Sequence, residues 1–190
     1  TLRILIVLNW LYGAAILGLV IFANANPDFF RRAINVPKGV DSRTIMMGLT
    51  AIAILGVLRV ALPTAWNNKA LMYGGGGFDG SIPNVVGNVS NGATDQPLPV
   101  ARGYAVFASD SGHQAGARGS LDGTFGLNDE SLRNWGGDAL KKTRDTAMFI
   151  IKSRYASLPA KAYFAGGSTG GREALQSIQR WPADWDGAIA

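Results

Sequence analysis

The stretch from Lys161 to Arg180 constrains the fold more than any other part of the chain. A short apolar run, Lys161 to Ala165, stops at Gly166-Gly167-Ser168-Thr169-Gly170. A helical pattern from Glu173 to Arg180 follows, and Pro182 ends it. The pentapeptide fits G-x-S-x-G between a strand and a helix, the setting a nucleophile elbow requires. Such a turn holds its serine in a strained backbone conformation with the hydroxyl projecting. Small residues at 166 and 170 let strand and helix close on it. The first turn of the helix offers unpaired N–H groups and a positive dipole to an oxyanion. A Gly-Ser loop without chemistry is the plain alternative, and the flanking strand and helix argue against it.

The region around this turn alternates strand and helix. Lys69 to Tyr73 and Tyr104 to Ala108 read as strands, Asp138 to Tyr155 as a helix, and Trp185 to Ala190 as the start of another strand. In the helix, Leu140, Ala147, Ile150 and Ile151 fall near one face. Residues 81–99 and 111–136 are rich in Gly, Ser, Asn or Pro and read as loops. Alternation of this kind predicts an α/β fold with a parallel sheet covered by helices on both faces.

The first third is different. Leu2 to Ala23 and Thr44 to Leu62 are almost wholly apolar. At about 1.5 Å per residue, each run is long enough to be read as crossing a hydrocarbon core of about 30 Å. This predicts a membrane hairpin over 1–63 (helices about 2–23 and 44–62), contacting membrane lipid, and a second domain over 64–190. The loop between the runs carries Arg31, Arg32, Lys38 and Arg43, against Arg3 before the first. The positive-inside rule then places both ends on the extracytoplasmic side, periplasmic or extracellular.

Charge and composition exclude other classes. The net charge of +5 on 190 residues lies mostly in residues 1–65, with six basic and two acidic side chains. The remainder has 12 basic and 11 acidic side chains, no excess with which to neutralise nucleic-acid phosphates. There is no cysteine and one histidine, His113, so thiolate or His-rich metal sites are ruled out and no cofactor is called for.

Gly74-Gly75-Gly76-Gly77 follows an early strand, where hydrolases with such an elbow place the second oxyanion donor. Six ordered pieces now carry a family resemblance: Ala65-Trp66-Asn67-Asn68, Gly74 to Gly80, Gly103 to Val106, Ser109-Asp110-Ser111-Gly112-His113, Gly167 to Arg172, and Trp181 to Gly187. Residues 65–190 resemble the N-terminal half of the tannase and feruloyl esterase family of α/β-hydrolases. The resemblance implies a partial α/β-hydrolase domain, a small-molecule carboxylic ester as substrate, often of a phenolic acid, and an acyl-enzyme on Ser168. It implies oxyanion donors at Thr169 and within Gly75, Gly76 and Gly77.

Members of the family usually carry a cysteine before the serine, where this chain has Gly167. Their acid and base lie downstream, beyond a lid insertion that often holds calcium. Only 22 residues follow Ser168 here, none of them histidine. The expectation is a chain truncated before its acid and base, and nearly inactive alone. Two alternatives stand beside it: a truncated or fused remnant whose membrane part is functional, and a non-catalytic ligand-binding domain. His113 precedes the serine, the wrong order for a base in this fold. It is expected to be a structural, hydrogen-bonded residue near the site, and Asp110 a turn-capping carboxylate. Arg172 is expected to pack or ion-pair on the elbow helix, and Trp181 and Trp185 to serve packing.

Overall fold

A computed structural model of the chain describes residues 58–190, within a unit that runs from Leu55 to Ala190. Its centre is a five-stranded sheet made of β1 (Leu58–Ala61), β2 (Lys69–Tyr73), β3 (Ala105–Ser109), β4 (Lys161–Ala165) and β5 (Gly187–Ile189). The spatial order is β1-β3-β2-β4-β5. Strands β3, β2, β4 and β5 run parallel, whereas β1 pairs antiparallel with β3, Leu58 opposite Ser109 and Ala61 opposite Val106. The helices are α1 (Asp129–Arg133), α2 (Ala139–Tyr155) and α3 (Thr169–Arg180). A wide helical turn, Asn134–Asp138, joins α1 to α2.

The two faces of the sheet follow from the two-residue period of a strand. Ala70, Met72, Ala105, Phe107 and Phe164 face α2 and α3 and pack on Leu140, Ala147, Ile151 and Ala174. Phe107 and Phe164 are wholly buried. Truncating either to Ala would destabilise the domain by about 3–5 kcal/mol. The alternate residues Leu71, Tyr73, Val106, Ala108 and Ala165 form a second cluster with Val85, flanked by Ile82, Val89 and Val100. Helices thus cover one face, and among the described residues the other face is covered by the 82–100 segment. The expectation of helices on both faces, and of a purely parallel sheet, is corrected to this arrangement.

Strand β2 is fixed at its start by side chains of the preceding turn. Asn67 Oδ1 accepts from Lys69 N–H, and Trp66 Nε1–H donates to the Lys69 carbonyl. Trp66 also stacks on Tyr155 at the end of α2, with ring centroids 4.3 Å apart.

Strand β1 corrects the reading of the second apolar run. Leu58–Ala61, the end of the span expected over 44–62, is strand, and the sheet begins before the boundary expected near Pro63. A half-buried apolar edge strand and the tail of a membrane helix share similar hydropathy, so composition did not separate them. The rest of that expected span, 44–57, lies outside the described residues. Among the described residues no helix is long and apolar enough to cross a membrane. The expected helix over 2–23 lies outside the described residues.

Candidate active site

Parallel strands bring their carboxyl ends to one edge of the sheet, and ligands of open α/β sheets bind at that edge. Here β2 runs on into the Gly74–Gly77 loop, β3 is followed directly by Asp110, and β4 leads through Gly166 and Gly167 to Ser168. Three segments far apart in sequence therefore meet by topology.

Ser168 has φ 56° and ψ −123°, a left-handed conformation that side chains other than glycine rarely adopt. It is exposed, at the head of α3. Its hydroxyl makes no hydrogen bond among the described residues. The turn closes tightly enough to exclude side chains around it. A Cβ on Gly166 would lie 2.5 Å from the Gly170 carbonyl, and one on Gly74 would lie 2.5 Å from Gly170 Cα. Gly74 N–H donates to the Ala165 carbonyl at 3.0 Å and Gly170 N–H to the Gly75 carbonyl at 3.0 Å. Thr169 Oγ1 donates to the Gly77 carbonyl at 2.6 Å. The glycine loop is thus bonded directly onto the turn that presents Ser168.

The loop's own N–H groups divide in two. Gly75 N–H donates to Glu173 Oε2 at 3.0 Å, so it is engaged rather than open to a ligand. This removes Gly75 from the expected oxyanion donors. The N–H groups of Gly76, Gly77 and Thr169 make no hydrogen bond among the described residues. They lie on either side of the Thr169–Gly77 contact.

Glu173 was not singled out by the sequence, though a charged residue one turn into the elbow helix was a signal. It is 2% exposed and accepts a second hydrogen bond, from Ser111 Oγ at 2.7 Å. Asp79, also missed, is 1% exposed, and its oxygen lies where a Cβ on Gly75 would point. Burial, and then the facing Glu173 carboxylate, push the Asp79 carboxyl up to about 7, with Arg172 opposing.

Asp110 is fully buried. Its Oδ1 accepts from Gly112 N–H at 3.0 Å, its Oδ2 accepts from Gln114, and its carbonyl accepts from Gly80 N–H. His113 is 8% exposed, with its ring stacked on Phe125 at 3.8 Å. Neither ring nitrogen has a hydrogen-bond partner of good geometry among the described residues, so the expectation of a hydrogen-bonded His113 is corrected to one held by ring stacking. Burial lowers its pKa. No hydrogen bond joins His113 to Ser168. Phe78, Phe125 and Trp135 complete an aromatic cluster immediately after Gly77.

Arg172 stacks over Trp135 at 4.4 Å and donates to the Trp135 carbonyl, a packing role as expected. Trp181 and Trp185 pack against the helix-side core. On the other side of the elbow, a cavity of about 190 Å³ is lined by Tyr73, Gly74, Asn84, Asn88, Ser90 and Ala165 among others. A Cβ at Gly167 would lie 3.2 Å from Ser90, so the cavity's wall adjoins the elbow. Among the described residues no group of three or more His, Cys, Asp or Glu could hold a metal ion.

Comparison with known proteins agrees with this geometry. An esterase of Agrobacterium fabrum is 44% identical over 133 residues, covering 70% of this chain and 24% of that protein. The mono(2-hydroxyethyl) terephthalate hydrolase of Piscinibacter sakaiensis is 31% identical over 136 residues, 70% of this chain and 22% of the hydrolase. The crystal structure of feruloyl esterase B from Aspergillus oryzae superposes with a TM-score of 0.59 at 26% identity, covering 70% of this chain and 24% of that one. The chain therefore spans about a quarter of the length of the relatives it matches. The family model described as tannase and feruloyl esterase matches residues 50–190, and the chain belongs to that family.

Proposed function

We propose that the chain carries the nucleophile and oxyanion donors of a serine carboxylic-ester hydrolase acting on esters of aromatic, phenolic-type acids. The observation that carries this is the exposed Ser168 at φ 56°, with the Gly74–Gly77 loop hydrogen-bonded against its turn. Ser168 Oγ attacks the ester carbonyl carbon and gives its proton to a general base. The carbonyl oxygen, now negative, is held by Thr169 N–H with Gly76 and Gly77 N–H. The C–O bond to the alcohol breaks, the alcohol takes the proton, and water then releases the acid from the acyl-enzyme.

His113 is the sequence's one histidine, and its buried, stacked ring makes no hydrogen bond to Ser168. The described residues therefore supply no general base to Ser168. Aromatic substrates are supported by relatives that are a mono(2-hydroxyethyl) terephthalate hydrolase and a probable feruloyl esterase. A cavity of about 190 Å³ adjoins the elbow.

The test is trapping. The full-length protein is mixed with a chromogenic ester of a phenolic acid, quenched, and peptide-mapped. The expected result is a mass increase of one acyl group on Ser168, absent in Ser168→Ala. Binding of the ester without acylation would favour the non-catalytic ligand-binding reading.

A further inference from the structure

Two buried carboxyl groups lie behind the oxyanion loop, and no step of the proposed mechanism uses them. Asp79 is 1% exposed and Glu173 is 2% exposed. Neither forms an ion pair with Lys, Arg or His among the described residues. The nearby cation, Arg172, is committed elsewhere: its guanidinium lies over Trp135 and donates to Gln176 and to the Trp135 carbonyl. The other titratable groups close by are His113, stacked on Phe125, and Asp110, which caps its own turn. Two uncompensated carboxylates cannot both stay ionised in such a place, because each is desolvated and each repels the other.

The hydrogen bonds say which one keeps the proton. Glu173 accepts from Gly75 N–H and from Ser111 Oγ–H, both of which favour its charged form. The Asp79 oxygens receive no hydrogen bond of good geometry. A proton on Asp79 removes its charge and supplies a donor toward Glu173.

We propose that Asp79 and Glu173 share one proton, carried on Asp79, and that this acid–carboxylate pair positions the oxyanion loop. Glu173 draws the Gly75 amide inward, which turns the next two amides, Gly76 and Gly77, toward the head of α3. Both are positioning residues, since neither reaches the reacting atoms. The positioning role rests on the reading of Ser168 as nucleophile, whereas the shared proton does not.

Two measurements test the proposal. The first is the carboxylic-acid C=O band in the infrared spectrum of the folded protein at about pH 5.5, where exposed Asp and Glu are ionised. The expected result is one such band, absent in Asp79→Asn and lost as the pH is raised toward about 9. No band in the folded protein, or a band that survives Asp79→Asn, overturns the shared proton. The second is ester turnover by full-length protein. Glu173→Ala is expected to lower kcat by about tenfold or more with KM little changed, because a displaced donor loses transition-state contacts. Glu173→Gln, whose amide oxygen still accepts from Gly75 N–H, is expected to restore kcat to within about threefold. An unchanged kcat in folded Glu173→Ala overturns the positioning role, and so does a Gln variant no better than Ala. Should Ser168 fail to acylate while the band behaves as expected, the nucleophile reading falls and the shared proton stands.

Discussion

Ser168 and His113 each follow the carboxyl end of a parallel strand, β4 and β3, and each is a residue type that chemistry uses. Their surroundings are opposite. Ser168 is exposed, held at φ 56°, and its hydroxyl has no partner. His113 is 8% exposed, stacked at 3.8 Å on Phe125, and burial lowers its pKa. On the proposed reading, a group that must attack a substrate is left exposed on a backbone that the rest of the structure forces into shape. A group proposed to prop a loop is packed against an aromatic ring and kept from water. Environment, not residue type, would then separate nucleophile from scaffold.

The largest break in this contrast comes from the turn itself. Gly166→Ala puts a methyl group 2.5 Å from the Gly170 backbone, which no side-chain rotation relieves. The expected loss is about 3–5 kcal/mol, read from denaturant midpoints. A variant as stable as the parent would mean that the elbow is looser than described.

Next is the pH dependence of stability. The Asp79 pKa is raised, so between its ordinary value and about 7 the folded state holds a proton that the unfolded chain has released. Its contribution is present at acid pH and is lost as pH rises through about 7, with an upper bound of about 4 kcal/mol. His113 acts in the opposite sense. Its lowered pKa makes the unfolded state the better proton acceptor, so stability falls as pH drops below about 6.5. Unfolding curves of Asp79→Asn between about pH 5 and 8 should lose the decline at higher pH and keep the one at lower pH.

His113→Ala sharpens the contrast from the other side. It removes a buried ring and its stack on Phe125, for an expected loss of about 2 kcal/mol. Thr169→Val is the mildest change. It deletes the hydroxyl that donates to the Gly77 carbonyl, worth about 1 kcal/mol, and should slow acylation only a few-fold.

Much of this site was legible in the sequence because it is built from local signals. Lys69–Tyr73 and Lys161–Ala165 are short apolar runs stopped by glycine, and both are strands with those limits. The elbow announced itself through strand, glycines and helix. What was missed was non-local or hidden by composition. Leu58–Ala61 continues an apolar run, so its strand state depends on a partner, β3, that hydropathy does not reveal. Helix α1 lies in a stretch that reads as loop, and its one clear signal is the Asn128 side chain accepting from Ser131 N–H. The Asp79–Glu173 pair joins residues on different elements, and only the fold brings them together. Gly75 was grouped with its neighbours because sequence cannot say which amide of a glycine run an acidic side chain will occupy.

The most direct test of the central claim compares two variants in one assay. Full-length wild type, Ser168→Ala and His113→Ala, each shown to be folded by circular dichroism, are exposed to a fluorophosphonate probe and the rate of covalent labelling is measured. The account predicts that Ser168→Ala abolishes labelling while His113→Ala keeps it within about tenfold, because members of a catalytic unit fail together and a structural residue does not. Labelling that survives Ser168→Ala, or an equal and complete loss in folded His113→Ala, would contradict it.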